Sequence, residues 1–295
     1  MIRMPLLCCA AVLLSSLARG ADPADELRVM SFNLRYITHE DTGALAWTAR
    51  RDQVAELITR EHPDLVGLQE ALRPMLNDLD QRLAGYIEIG VGREDGKEKG
   101  EYSALLVKAS RFGVQESGNF WLSDTPEVAG SKSWGNEVVR ICTWAKLYDR
   151  QTRRSFHFFN THMDHHSQPS REKGMALILS RISEHAGNEP YILTGDFNAR
   201  ADNPVHSLIA KSALHPTDVW KTLNPDVPEN ESGTAHDFTG KTDTGRIDYI
   251  YTSADFKPLE SSILHDAKDG NYPSDHFPLR ATLGFPGKGL LDRLK

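Results

Sequence analysis

Cysteine is nearly absent from this chain: of 295 residues three are Cys, and Cys8 and Cys9 both stand within the first twenty. Beyond that segment Cys142 is alone, which excludes an internal disulfide and a cysteine-rich metal knuckle as the source of stability. In RICTWAKL it reads as a small buried apolar residue. After residue 20 no apolar run exceeds strand length, so no later membrane span is expected. Internal repeats, low-complexity tracts, linkers and strongly basic tracts are missing as well. The 41 Asp and Glu outnumber the 34 Lys and Arg, giving a formal net charge of −7. An acidic chain without a basic tract argues against tight, backbone-dominated binding of long duplex DNA.

What is present begins with Arg3, an apolar run over 5–17, and the small residues Ala18 and Gly20. This is the layout of a secretory signal peptide over 1–20, with cleavage before Ala21. Cys8 and Cys9 lack the small-residue context of a lipidated cysteine. Removing 1–20 takes away Arg3 and Arg19 and no acid, so the mature charge becomes −9. The product is expected in the periplasm or secreted, without stable membrane insertion. Residues 21–284 are expected to form one domain, because candidate site residues come from strand ends scattered over nearly the whole chain. Residues 285–295 read as a short solvated tail.

The hydrophobic period changes repeatedly along the chain. Residues 27–33 read as a buried strand, 50–61 as a helix with Val54, Leu57 and Ile58 on one stripe, and 64–69 as the next strand. Leu72, Met75, Leu76, Leu79 and Leu83 make a second helical stripe despite Pro74 near its start. Strands are predicted over 86–91, 102–107, 120–122, 141–148 and 155–160. Helices are predicted over 170–185 and 204–210, and the remainder as strands joined by long loops. Many strands and few long helices imply two packed sheets with helices outside.

The chemistry gathers where strands end. In YILTGDFNAR an apolar run leads into Asp196 and Asn198, two oxygen ligands two positions apart and so on one side of an emerging strand. Alone, DFN is an ordinary turn. It recurs in kind: Asn33 closes LRVMSFN, Glu70 closes PDLVGLQE, His162 closes SFHFFNTH, Asp248 lies in GRIDYIY, and Asp275 and His276 open SDHFPLRATL. Asn33 and Glu70, with Asp196, Asn198 and Asp275, offer oxygen only, which favours Mg²⁺ or Mn²⁺ over structural zinc. A Ca²⁺ site is also open, since Asp41, Asp78, Asp80, Glu94, Asp95 and Asp243 are loop acids, but none has the spaced calcium-loop pattern. Asn160 and His162 share one strand face, while His157 shares the other with Phe159 and reads as packed.

These motifs, in this order, resemble the endonuclease/exonuclease/phosphatase superfamily, from about residue 27 to 283. The resemblance implies an α/β fold, a four-layer α/β/β/α sandwich of two mainly antiparallel sheets with outer helices. It implies that Glu70 is the central metal ligand assisted by Asn33, that Glu101 in GEYSALL orients His162, and that Asp248 orients His276. Water would attack a phosphodiester or phosphomonoester. Asp196 would orient or deprotonate that water, the two His/acid pairs would offset phosphoryl charge, and Asn198 would hold water or phosphate. The division between general base and general acid stays open. Asn160, Arg140, Arg171 and Trp134 are further candidates for contact with substrate; Arg171 opens a helix where free amides can hold phosphate, and Trp134 would stack on a base or sugar or brace its loop.

The substrate follows less directly. A nucleic acid or a small phosphorylated molecule suits the chemistry, and the long loop over 216–243 would narrow the cleft around a small ester. No apolar aromatic hairpin suggests membrane docking, so a phospholipid or sphingomyelin phosphodiesterase is an alternative of lower rank. A non-catalytic carbohydrate- or protein-binding module would have no use for this many ligands and His/acid pairs together. GRIDYIY, YPSDHFP and THMDH resemble exported bacterial family members.

Overall fold

A computed structural model describes residues 25–285; the signal segment and nearly all of the predicted tail lie outside them. The chain runs β1 (Glu26–Asn33), α1 (Trp47–Glu61), β2 (Leu65–Gln69), α2 (Arg73–Asp80), β3 (Tyr86–Ile89), β4 (Leu105–Lys108) and β5 (Phe112–Trp121). It continues through β6 (Ile141–Asp149), β7 (Arg154–His162), α3 (Gln168–Ala186), β8 (Tyr191–Asp196), α4 (Pro204–Lys211) and β9 (Thr217–Asp218). The last elements are α5 (Val219–Leu223), β10 (Asp248–Thr252), β11 (Lys257–Ile263) and β12 (Leu279–Gly284).

Two six-stranded sheets result, ordered β11-β12-β1-β2-β4-β3 and β5-β6-β7-β8-β10-β9. Each is antiparallel except for one central parallel pair, β1 with β2 and β7 with β8. A parallel pair needs a crossover, and α1 and α3 supply it, leaving both helices on the outer faces. Three apolar clusters fill the three interfaces of the resulting α/β/β/α stack. Met30, Phe32, Val66 and Leu68 meet α1 and α2. Val29, Leu65, Phe158, Ile192 and Ile250 lie between the sheets. Phe159, Leu193 and Tyr249 meet α3 and α4.

Local signals account for most boundaries. Ser167 caps α3 by accepting from the Ser170 amide at 3.2 Å, and Asn203 caps α4 through the Val205 amide at 3.1 Å. Pro74 falls in the first turn of α2, where its missing N–H costs nothing. The predicted strand over 120–122 proves too short: β5 begins at Phe112, and its middle is exposed and polar, as suits an edge strand with no apolar face to betray it.

Along the inter-sheet layer the inward residues change character in register. The apolar level gives way to Ser31, Gly67, Gln69, Asn160 and Thr194, all between the sheets. Gln69 Nε2 donates to Asn160 Oδ1 at 2.7 Å and Ser31 Oγ at 3.2 Å, and Asn160 Nδ2 donates to Leu68 O and Ala104 O at 2.8 and 3.0 Å. Gly67 makes this close approach feasible: a Cβ there would lie 2.1 Å from Thr194 Oγ1 and 2.6 Å from Asn160 Oδ1. One step further along the strands lie the charged groups.

Candidate active site

Asn33, Glu70, His162 and Asp196 stand at or just beyond the C-terminal ends of the two parallel pairs, where strand side chains of one parity emerge together from between the sheets. Asp248 sits opposite Asp196 in the β8–β10 register. His276 enters from the loop before β12. Its imidazole Nδ1 lies 2.9 Å from Asp248 Oδ2.

Asp196 is the centre of the arrangement. The Asn33 amide donates to Asp196 Oδ2 and to Glu70 Oε1, both at 3.0 Å. The Asn198 amide N–H reaches Asp196 Oδ1 at 2.9 Å. Asp196 Oδ2 is also 3.5 Å from His162 Nε2 and 3.9 Å from His276 Nε2. Glu70 has φ 59 and Asn198 φ 47, uncommon backbone for non-glycine residues that turns both side chains back over the strand ends. The Tyr36 amide holds Glu70 Oε2 at 3.0 Å.

The two imidazoles differ. Burial alone would push His276 down, but Asp248, with Asp196 and Asp275 behind it, lifts it well above its usual range. Burial pushes His162 well below that range, and Arg140 and Arg93 add to the effect. Its tautomer follows from its partner. Asn198 Nδ2 donates to the Met163 carbonyl at 3.0 Å, which identifies it as the nitrogen, and the same Nδ2 lies 3.0 Å from His162 Nε2. That imidazole nitrogen must therefore accept, and the proton sits on Nδ1. Of the two His/acid pairs expected to offset phosphoryl charge, His276 fits a cation and His162 a neutral ring. Glu101 does not grip His162 either, since 3.8 Å separates them and the carboxylate is bound instead by Arg93 at 2.7 Å.

Other predicted positions fall at varying distances from this centre. Asp275 is held by Ser274 Oγ at 3.2 Å and lies 3.8 Å from Arg35; burial, with Glu70 nearby, pushes its carboxyl up although His276 opposes the shift. Arg140 is buried beside His165. Asn160 does not reach the cleft: it is fully buried and its side chain serves the bridge between sheets, so its expected substrate contact is corrected to a structural role. Arg171 spends its fork on Asp164 O and Gln168 Oε1 at the start of α3. Trp134 braces its loop, donating to Asp124 Oδ1 at 2.7 Å beneath Lys173. His157 bonds Glu189 at 2.8 Å on the opposite face, as the alternation requires. Sequence reasoning missed Arg50. Buried in α1, it donates to the carbonyls of Leu34, Arg35 and Pro273, and so ties the chain after Asn33 to the chain before Asp275 and His276. Its only sequence signal was a charge among buriable helix positions.

The donor set suits a divalent cation. Asp196 is pushed up to about 7 by burial and by neighbouring Asp248, and Asp248 Oδ1 is buried with no hydrogen-bond partner among the described residues. A cation would relieve that crowding. Ligand atoms of Glu70, His162 and Asp196 lie within 4.8 Å of one another, as do those of Asp196, Asp248 and His276. Among the described residues neither grouping includes the loop acids considered for Ca²⁺. Asp41 pairs with Arg35, Asp78 with Arg51, and Asp95 with the amides of Lys97 and Lys99.

Residues 30–276 match the Endonuclease/Exonuclease/phosphatase family. The chain belongs to that family. A family structure from Bacteroides vulgatus is similar at 32% identity and TM-score 0.81, covering 88% of this chain and 99% of that one. A mannosyl-6-phosphatase of Bacteroides thetaiotaomicron is 34% identical with TM-score 0.80, over 87% of this chain and 99% of the other. Among curated proteins, rat nocturnin is 26% identical over 82% of this chain. The chain spans 60% of that protein's length and 59% of the mimivirus protein L388. The family membership and the two acid/imidazole groupings together support a metal-dependent phosphoester hydrolase.

Proposed function

We propose that the protein uses Mg²⁺ or Mn²⁺ to hydrolyse phosphate esters of small molecules, with phosphorylated sugars as the leading substrate class. One observation carries this reading: Asp196 stands between Glu70 and the bonded His276–Asp248 pair in a single cleft. Glu70 and Asp196, assisted by Asn33 and Asp275, would hold the cation, which when bound would neutralise phosphoryl oxygens. Asp196 orients water and takes one of its protons as the P–O ester bond breaks, and the departing oxygen takes up a proton from solvent to leave as the alcohol. His276, held charged by Asp248, donates to a phosphoryl oxygen where negative charge develops. Asn198, whose amide is committed to Met163 and His162, positions that imidazole.

The excess of acids and the similarity to a mannosyl-6-phosphatase over nearly all of that chain favour a small ester over long duplex DNA. We place the enzyme outside the cytosol on the sequence of residues 1–20; mass spectrometry of the mature protein should find its N-terminus at or near Ala21. The central test is a substrate panel with Mg²⁺ or Mn²⁺, comparing sugar phosphates, nucleotides, inositol phosphates, single- and double-stranded nucleic acid and phospholipids. Glu70→Gln should fold, lose most turnover and weaken Mg²⁺ binding by calorimetry. Unchanged turnover and affinity at limiting metal would remove Glu70 from the site and the reading with it.

A further inference from the structure

Arg35, two residues beyond Asn33, sets a cation beside the acids of the site, with its side chain 24% exposed. Its backbone has no freedom to move. At φ 56 it donates its amide N–H to Asn33 Oδ1 at 3.0 Å, and its carbonyl accepts from Arg50 Nη2 at 3.1 Å. The guanidinium faces two carboxylates and treats them unequally: Nε and Nη2 fork onto Asp41 at 2.9 and 3.2 Å, whereas Nη1 stops 3.8 Å from Asp275 Oδ2. That last separation is too long for a hydrogen bond. Ser274 Oγ takes the other Asp275 oxygen at 3.2 Å, so Oδ2, which accepts no hydrogen bond among the described residues, is the oxygen left for a cation.

An arginine keeps its proton, so this charge has to be compensated in place. Were the guanidinium to close on Asp275, a charge-assisted pair would form and occupy the oxygen that a divalent ion requires deprotonated and unshared. Asp41 offers the alternative partner. The loop that carries it ends at Leu45, whose carbonyl accepts from Arg50 Nε at 2.7 Å, and the same Arg50 binds the Arg35 carbonyl. One buried guanidinium therefore ties both ends of the segment 35–45 and fixes the Asp41 carboxylate opposite Arg35.

We propose that Asp41 is a positioning residue that draws Arg35 away from Asp275 and so keeps the metal-side carboxylates open to a divalent cation. The inference rests on the metal-dependent reading and adds to it a residue that acts through Arg35. Removing Asp41 then does harm only while Arg35 is present to move, which separates this role from the plain loss of one negative charge near the site.

The test reads the Kd of Mg²⁺ by calorimetry on the intact protein in wild type, Asp41→Asn, Arg35→Met and the double variant. Asp41→Asn should weaken Mg²⁺ binding about 30-fold, and in the Arg35→Met background the same substitution should cost no more than about 3-fold. Arg35→Gln takes the place of Arg35→Met if the latter does not fold. Equal losses in both backgrounds would show Asp41 acting through its own charge alone and would overturn the proposal. A crystal structure of Asp41→Asn gives a second readout: an Arg35 nitrogen should lie within about 3.2 Å of an Asp275 oxygen, and a guanidinium that keeps its wild-type position would overturn the proposal as well. Failure of the metal reading looks different. A wild type that binds neither Mg²⁺ nor Mn²⁺ removes that reading and this role for Asp41 with it, whereas equal Mg²⁺ affinity in wild type and Asp41→Asn removes the role and leaves the reading in place.

Discussion

The two ends of the inter-sheet layer both bury carboxylates, and they neutralise them differently. At the end where β1 and β2 begin, Arg111 forks onto Asp149 at 2.9 and 3.1 Å and reaches Asp64 at 2.8 Å, with Lys108 on the other Asp64 oxygen. Each acid there has a protein cation in contact. At the opposite end Glu70, Asp196, Asp248 and Asp275 gather, with His276 raised to cationic form beside Asp248 and Arg35 3.8 Å from Asp275. The first end is closed by its own charges and holds the sheets together. The second keeps an excess of negative charge that a bound cation would complete. The same contrast recurs in miniature between the imidazoles: His276 has an acid at its second nitrogen, whereas His162 has an amide at one nitrogen and guanidinium groups beside the other.

The largest expected effect breaks the acidic end. His276→Ala should lower kcat/KM by about 10²–10⁴-fold, the span of a positioned proton donor or acceptor. Asp248→Asn should cost about 10–100-fold through loss of orientation, and the double variant should be little worse than His276→Ala alone. A double-mutant cycle on folded proteins checks this, and additive losses would show two independent residues. Breaking the other end should instead cost stability: Arg111→Met leaves buried Asp149 without a cation and Asp64 with Lys108 alone, and should destabilise by about 3–5 kcal/mol in urea titrations, with turnover per folded molecule retained.

Between the ends, Gly67→Ala should destabilise by about 1–3 kcal/mol, because the new methyl group meets Thr194 and Asn160. If the acids at the site repel one another in the metal-free protein, Asp196→Asn should raise Tm in EDTA at pH 8 by about 2–4 °C per kcal/mol relieved, and Mg²⁺ should stabilise wild type more than the variant. A fall in Tm would show that the crowding is not a strain on the fold. The smallest effect concerns His157, buried on the other face of the strand that carries His162, with Glu189, Lys146, Glu116 and His185 around it. Burial lowers its pKa. The unfolded chain therefore binds the proton more readily, so stability should fall as pH drops below about 6.5, by at most about 1.4 kcal/mol per pH unit. His157→Phe should flatten that slope in pH-dependent urea melts.

Much of this architecture was legible before any coordinates. Buriable runs along 27–33, 64–69, 155–160 and 191–196 put Asn33, Glu70, His162 and Asp196 at or just past strand ends, and the parity of His157 against His162 separated a packed ring from a cleft ring. Period and parity are local properties of the chain, so the residue string carries them. The string could not show that β5 extends back to Phe112, because an exposed edge strand is chosen by its neighbour's hydrogen bonds and not by its own apolar pattern.

Sequence by itself determined which chemical groups are available and that strand ends bear them: the acids, amides and imidazoles, their order, and the shortage of cysteine. Tertiary structure alone decided how each group is used. Asn160 and His162 share a strand face, yet the first lies one pleat deeper and is consumed by Gln69 and two carbonyls. Glu101 lies in the loop before β4 and His162 ends β7, and Arg93 comes closer to that acid than the imidazole does. Arg50 acquires its role from three backbone carbonyls that meet only when α1 packs against two loops distant in sequence. Hydrogen-bond partnership and charge state depend on distances of a few ångströms between segments far apart in the chain, and those distances are fixed by packing.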